Sequence, residues 1–554
     1  MHRHTIACAV IAAVCAFAIA PFFWMGIPSG HDIEFHLFSW MEVENQWKQR
    51  IAYPRWADLA DWGYGEPRFL FYPPSSWMLG ATLGSTLPWK TVPGGYCWLA
   101  LTLAGFAMYN LARQWLRPAD ALFAAAFYAV NPYHILVIYW RSAYAELLSA
   151  ALLPLLLLFV LKLSDSSSRP VVWLGVVFAA AWFTNIPAAM MIHYSAGGLA
   201  LVMAMRDRSP RPLWRLAIAV VVGAGLASIY LVPAVYEQGW VNIGQVLSPG
   251  VRPQDNFLFT RSADLDHNHF NLLISTVAVA EMAVLLAALF FSRSQRRSLA
   301  WLAATVWGVA AATLMFSITN PLWEYLPEFR FVQLPFRWLL CLNAALALLL
   351  AMTAVRSALR RCVLGGLVYA ALLALLIFVA VRTQPPWWDS ASDIDDMEQS
   401  IADGTGYEGV DEYVPAGDDP YDLNKDLPRL SEEGGGEAGQ KRGIANTVNS
   451  EIVKWNATEK QFRIVAESPA NVIVRLFNYP AWRVTVNGRQ VKTKTSPGTG
   501  LMIVPLEAGT NKVQISFATT PDRKLGGAIS LLGLAIFAAA YIRTNPRLTT
   551  KIDA

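Results

Sequence analysis

The sequence predicts a polytopic α-helical membrane protein that carries a small β domain near its C-terminal end. Three observations point there. Apolar runs of spanning length recur along most of the chain. Hydrophobic residues make up 55% of the 554 positions and charged residues only 15%, a balance foreign to ordinary soluble domains. The one long stretch that interrupts the runs turns to β-like alternation before a last apolar segment.

Taking about 20 apolar residues as one crossing, the runs fall at 5–25, 92–113, 119–137, 143–163, 171–188, 189–205, 214–236, 270–292, 298–317, 334–354, 361–381 and 525–543. The stretch 69–87 holds Pro73, Pro74 and two glycines, which break a helix. It reads as a segment that dips toward the bilayer, or as a thirteenth crossing, giving about 12–13 transmembrane helices. The first run opens with "MHRH" and passes through Ala18-Ile19-Ala20, which imitates a cleavage site. Pro21 directly after it opposes cleavage, so an uncleaved first helix is expected.

Net charge is +4, and its distribution sets the orientation. Basic residues gather in short loops: Arg206, Arg208 and Arg211; Arg293, Arg296 and Arg297; Arg356, Arg360 and Arg361; Arg543, Arg547 and Lys551. The positive-inside rule places these in the cytoplasm. Segments 31–91, 237–269, 318–333 and 382–524 then face outward. Short cytoplasmic loops leave no room for a nucleotide-binding domain, and nucleic acid is not an expected partner. Cysteines 8, 15, 97, 341 and 362 are scattered through apolar runs, so neither a disulfide framework nor a thiolate metal site follows.

Four parts are expected: a helical body at 1–382, an acidic Gly- and Pro-rich linker at 383–449, an outer β domain at 450–520, and a last transmembrane helix with a cytoplasmic tail at 521–554. Between 389 and 440 sixteen Asp or Glu face one Lys and one Arg, too few apolar groups to bury a core. Beyond it, "QFRIVAE", "NVIVRLF", "WRVTV", "RQVKT", "LMIVP" and "KVQISFA" have strand length and β-branched content. Asn487-Gly488 sits between the third and fourth of these, the usual pair for a two-residue type I′ hairpin. A small antiparallel sandwich is expected, either contacting carbohydrate or polymer or merely packing on the body.

The candidate site starts at "SGHDIEFHLF", residues 29–38, where the chain leaves the first apolar run. Ionisable groups are costly near hydrocarbon. On a helix Asp32 and His36 share a face at i and i+4, while Glu34 points away. The outer segment that follows adds Arg50, Arg55, Asp58, Asp61, Glu66 and Arg68 among many aromatics. Aromatic faces suit sugar rings, and arginines suit phosphate. "VNPYHILVIYWRSAYAELL" places Arg141 and Glu146 at an outward turn between two runs, and "EFRFVQLPFRWLL" places Arg330 and Arg337 at the outer end of another. Together these arginines outline a pocket for an anionic lipid headgroup. His267-Asn268-His269 reads as a polar loop, lacking a third ligand for a metal.

On these residues the chain resembles the C-type (GT-C) glycosyltransferases, polytopic enzymes that use polyprenyl-phosphate-linked sugars. It also resembles a bacterial membrane-protein family labelled 6-pyruvoyl-tetrahydropterin-synthase-related, and the large membrane proteins that glycosylate teichoic acids outside the cell. "GHDIEFHLF", "YPRWADLADWGYGEPRFLFYPP", "NPYHILVIYWRSAYAE", "FVQLPFRWLL", "DEYVPAGDDPYD", "LFNYPAWRVTVNGRQV" and "LGGAISLLGLAIF" carry the resemblance. No pterin chemistry is expected, since the soluble synthases of that name need a three-histidine zinc site.

The resemblance implies a GT-C-like fold with Asp32 as the catalytic carboxylate, His36 orienting it or sharing its proton, and Arg55, Arg141 or Arg337 binding the donor phosphate. On the residues themselves, a divalent metal, Mg or Mn, would stand in for the arginines with Asp32 and a second acid such as Asp61 or Glu66 as ligands, and Glu34 and Glu146 are further supporting or ligand candidates. The implied activity moves a sugar from a polyprenyl-phosphate donor to a cell-envelope glycan or lipid acceptor, at the outer face of the bacterial cytoplasmic membrane, with inversion. Transport of a lipid or polysaccharide, and non-catalytic envelope assembly, are the alternatives.

Overall fold

Every expected apolar run is helical in the computed structural model, which describes residues 2–353, 357–417, 423–432 and 450–544. Among the described residues, eight helices are long and apolar enough to cross a membrane: His4–Met25, Trp89–Ala112, Pro118–Arg141, Ile186–Asp207, Arg211–Trp240, Leu265–Gln295, Leu359–Thr383 and Pro521–Ile542. Leu299–Leu314 and Ser317–Tyr325 meet at 95° and make a ninth if they act as one bent crossing. Tyr144–Val160, Arg169–Thr184 and Pro335–Ala351 are apolar but shorter. They occupy the remaining expected runs, so the difference from 12–13 full spans is one of length. The stretch 69–87 forms two short helices, Arg68–Phe71 and Pro74–Gly84. At 1.5 Å per residue the longer rises only about 16 Å, roughly half a bilayer core.

The β domain has two antiparallel sheets. One runs Leu430–Glu432, Ala470–Phe477, Leu501–Leu506, Lys494–Thr495; the other runs Ser450–Asn456, Glu459–Ala466, Gly509–Phe517, Trp482–Val486, Arg489–Val491. Val474 and Met502 of the first share one apolar core with Phe462 and Ile515 of the second. Asn487 and Gly488 take φ of +50° and +80°, the left-handed pair a type I′ turn requires, and Val486 pairs with Arg489 across it. Fully buried Glu237, at the end of one span, clasps this domain. It accepts Nε and Nη2 of Arg523 at 2.7 and 2.8 Å and the Tyr479 hydroxyl at 2.6 Å. One carboxylate thereby ties span, β domain and last helix together.

The acidic segment differs from the solvated linker expected of it. Trp388–Asp389 pairs antiparallel with Ile27–Pro28, and the helix Ala391–Ala402 starts at a capping box formed by Ser390 and Asp393. Ile394, Ile401, Tyr407, Tyr413 and Val414 are buried. Few as they are, these side chains suffice to strap residues 384–417 across the first outer loop. Val241 bridges Pro415 and Gln333 Nε2 donates to the Val246 carbonyl at 2.7 Å, so the segments expected on one side of the membrane do meet. Residues 354–356, 418–422, 433–449 and 545–554, with Arg356, Arg547, Lys551, part of the acidic run and the expected tail, lie outside the described residues.

The strap is fastened to Glu42, on the helix Ile33–Lys48. Its Oε2 accepts the Tyr407 hydroxyl at 2.5 Å, and its Oε1 accepts the Asp58 and Leu59 amides. Burial pushes the Glu42 carboxyl from 4.5 up to about 7, against the pull of the Tyr407 bond. Burial raises Glu412 to about 7 as well. Groups whose folded pKa is raised stabilise the docked strap fully below their unfolded value, and that stability fades as pH climbs through the folded one. Corrected hydrogen exchange at 407–414 should therefore be slower at pH 5 than at pH 8, and Glu42→Gln should reduce the difference. Equal protection at both pH values in the wild type would refute this coupling.

Candidate active site

The site is built on a break in a span. Asn131 caps the helix Pro132–Leu136 by accepting the His134 amide at 3.0 Å. The following turn, Val137–Arg141, is π-helical and ends at Ser142 in the left-handed region, with φ of +49°. Such wide turns free carbonyls from the helical ladder and are frequent at functional sites. The carbonyls of Trp140 and Arg141 accept the amides of His31 and Asp32 at 3.3 and 2.9 Å. Ser142 Oγ accepts the Gly30 amide at 3.1 Å and donates to the Pro28 carbonyl at 3.0 Å. A Cβ at Gly30 would lie 2.6 Å from the Arg141 carbonyl carbon, so only glycine lets the two strands lie this close. Backbone contacts thus fix Asp32, the residue before the helix Ile33–Lys48, against Arg141.

Arg141 and Arg337 converge on one carboxylate. Glu146 Oε2 accepts Arg141 Nη1 at 2.5 Å and Arg337 Nε at 3.0 Å, and its Oε1 accepts the Tyr133 hydroxyl at 2.5 Å. Arg337 Nη1 also donates to the Val332 carbonyl and to Gln333 Oε1, each at 2.8 Å. Glu146 is 1% exposed, Arg141 3% and Arg337 9%, so all three are buried and the acid most completely. Asp32 is half-buried and acts electrostatically on both arginines. Neither guanidinium has a nitrogen that is both sealed and unbonded. Tyr72, packed on Phe35 at 4.7 Å between ring centres, feels Asp32, Arg337 and Glu146.

Other expected members are placed elsewhere. His36 is 2% exposed, ringed by Phe35, Trp40, Tyr72 and Tyr144, with Nδ1 3.5 Å from Ser76 Oγ. Burial lowers it to about 4, so at neutral pH it is an uncharged packing group behind Asp32, and its amide donates to the Asp32 carbonyl. Arg55 lies with Tyr53, Glu237, Asp522 and Arg523, and its Nη1 is sealed without a partner. It lies by the β-domain clasp, apart from Arg141 and Arg337. Glu34 is exposed beside Asp389 and Glu408. Arg330 is exposed on the Phe331 ring.

Asp61 and Glu66 form a second, buried cluster under the strap. Glu66 pairs with Arg68 Nε at 2.5 Å and accepts the Val410 amide at 3.0 Å. Burial, with Glu66 beside it, holds the Asp61 carboxyl well above the usual range. Three of the acids expected as metal ligands are engaged by other groups. Asp61 and Glu66 face Arg68 and the strap, Glu146 is spent on two arginines, and among the described residues no three His, Cys, Asp or Glu form a metal-binding group. Tyr133, Tyr72, Gln333 and Ser142 are the site residues sequence reasoning missed. Only "NPYH", a proline-started helix ahead of an arginine, signals one of them.

A polytopic membrane protein with a carboxylate pinned beside paired arginines is the class this architecture defines. The chain belongs to the family described as 6-pyruvoyl-tetrahydropterin synthase related domain, a membrane protein, whose profile matches residues 69–388, more than half of its length. No curated protein matches the sequence. Over 74% of the chain the structure is similar to the Archaeoglobus fulgidus oligosaccharyltransferase in its apo form, at 14% identity and a TM-score of 0.37, covering 56% of that chain. Over 72% it is similar to the arabinofuranosyltransferase AftD from Mycobacteria, at 19% identity and a TM-score of 0.39, covering 28% of that chain. The chain thus spans about half of the first and under a third of the second.

Removing Glu146 would take from two buried guanidiniums the carboxylate they share, a loss worth about 3–5 kcal/mol. Glu146→Ala should lower the thermal midpoint of the detergent-purified protein sharply, and Tyr133→Phe should lower it less. A Glu146→Ala variant that melts like the wild type would mean the carboxylate does not hold the pair.

Proposed function

We propose that the protein is an integral-membrane glycosyltransferase that moves a sugar from a polyprenyl-phosphate donor to a cell-envelope acceptor at the outer face of the bacterial cytoplasmic membrane. The observation that carries this reading is Asp32, laced by its backbone to Arg141, which shares Glu146 with Arg337. Asp32 takes the proton of the acceptor hydroxyl as its oxygen attacks the anomeric carbon. The bond from that carbon to the phosphate oxygen breaks, and its electron pair stays on the phosphate. Arg141 and Arg337 stabilise the charge gathering there, in a poorly hydrated site where fixed cations count most. One displacement inverts the anomeric centre, and no acid is needed because the phosphate leaves readily.

Transport is the second reading, for which an acid inside a span would be the mark. Glu281 is such an acid, yet its Oε2 is held by Asn343 Nδ2 at 2.7 Å, which favours a local structural contact.

In vesicles, polyprenyl-phosphate sugar with candidate acceptors should release polyprenyl phosphate. Asp32→Asn should cut turnover by roughly 10²–10⁴-fold, the usual worth of a positioned base, with little change in KM for the donor. Arg141→Lys keeps the charge but loses the planar fork, and should raise that KM. Full turnover in Asp32→Asn would remove the assignment, and lipid movement without sugar transfer would replace it with a translocator.

A further inference from the structure

One edge of the β domain is built differently from the other. Arg489–Val491 is the outermost strand of the five-stranded sheet, and Lys494–Thr495 is the outermost strand of the four-stranded one. A single segment, "RQVKTKT" at 489–495, therefore crosses between the sheets and forms an edge of both. It carries Arg489, Lys492 and Lys494, all exposed. Two further exposed cations flank it. Arg483 is on the neighbouring strand Trp482–Val486. Lys512 abuts the hairpin tip, its amide donating to Asn487 Oδ1 and its carbonyl accepting the Asn487 amide, each at 2.9 Å. At the opposite edge the cations are neutralised, Lys454 by Glu459 at 2.5 Å and Arg463 by Glu451 at 3.0 Å. The five at the crossing edge have no ion-pair partner among the described residues, and no Asp or Glu occurs between Glu467 and Glu507.

Lysine on an edge strand discourages pairing with other strands. Arg483 and Lys512 are not on the edge strands, so the charge extends beyond what that role uses. The surroundings narrow the partner. The domain is held to the body at its Phe517 end, where Phe517 pairs with Trp482, both rings pack on Trp56, and the last helix starts at Pro521. Lys512 lies five residues back along the same strand, about 17 Å away. The hairpin tip thus stands off from the point where the chain enters the membrane. Residues 483–516 hold no aromatic, so the edge lacks the platform on which single-stranded nucleic acids stack their bases. It offers charge, with a hydroxyl and an amide beside it, since Thr485 and Gln490 pair across the two strands on the solvent side.

We propose that this edge binds a linear anionic polysaccharide, whose repeated acidic groups are met by Arg483, Arg489, Lys492, Lys494 and Lys512 together and whose hydroxyls are met by Thr485 and Gln490. The inference does not depend on the transferase reading.

The full chain in phosphatidylcholine nanodiscs can be titrated with fluorescent polygalacturonate and with neutral dextran of equal length. Polygalacturonate should bind and dextran should not. Raising salt from about 50 to about 200 mM should weaken binding by more than about tenfold, because each neutralised charge releases a counterion. Combining Arg489→Glu, Lys492→Glu and Lys494→Glu should abolish binding. Combining Lys90→Glu, Arg261→Glu and Lys524→Glu, an equal change of net charge at scattered exposed positions, should leave it. Polygalacturonate should also shield Lys492, Lys494 and Lys512 of the wild type from acetylation, a readout that stands even if the first combination fails to fold. Equal loss in both combinations, or acetylation indifferent to the polymer, would overturn the proposal. Binding that vanishes when phosphatidylglycerol replaces phosphatidylcholine, with the lysines then shielded by lipid alone, would assign the edge to the membrane surface instead. A wild type indifferent to polygalacturonate, beside a charge-reversed chain that self-associates, would leave these cations only the task of blunting the edge strands.

Discussion

The buried carboxylate of Glu146 is the interaction on which the site depends. Two guanidiniums at the end of an apolar bundle are costly to desolvate, and Arg141 and Arg337 come from spans far apart in sequence. Glu146 draws both to one point and leaves its other oxygen to the Tyr133 hydroxyl. All three groups are buried, so the guanidiniums are held in place by the carboxylate they share. A phosphate would meet charge already fixed in place, with little reorganisation needed.

Around this core the outer parts act as successive braces. The helix Ile33–Lys48 carries Glu42, to which the strap is fastened, and the strap carries Val410, which caps Glu66. The β domain is anchored in turn by Tyr479 and Arg523 on Glu237 and by Lys460, 1% exposed, on Asp58. Each brace is a buried ion or hydroxyl on a carboxylate, so the outer layer is built from polar contacts sheltered by aromatic packing. That choice suits a region which must stay associated with the membrane body while remaining wet on its far side.

The sequence made the spans and the hairpin at Asn487-Gly488 legible, because each rests on local signals: apolar length and turn chemistry. It made Asp32 legible through the cost of a charge beside hydrocarbon. The strap was hidden because its apolar residues are sparse. Ile394 and Ile401 are seven apart on one helix face, a spacing that average composition conceals beneath the acids. Arg55 and Arg68 look alike in a list of loop arginines, yet one joins the Glu237 clasp and the other pairs with Glu66. Sequence spacing does not encode which acid each finds, since those partners come from distant parts of the chain.

Charge bookkeeping connects the geometry to the proposed chemistry. With Arg141, Arg337, Glu146 and Asp32 all ionised, the site sums to zero. A sugar phosphodiester brings one negative charge, and cleavage gives the departing phosphate a second, while the proton taken by Asp32 removes one. The total is unchanged, and what moves is a single negative charge, from Asp32 toward the arginines. In a medium of low dielectric such a displacement is favourable only if the destination is more positive than the origin. Asp32 sits outside the arginine pair, and the pair keeps a surplus of one positive charge over Glu146. The pair's surplus positive charge therefore draws negative charge from the carboxylate toward the arginines, the direction in which the proposed reaction moves it.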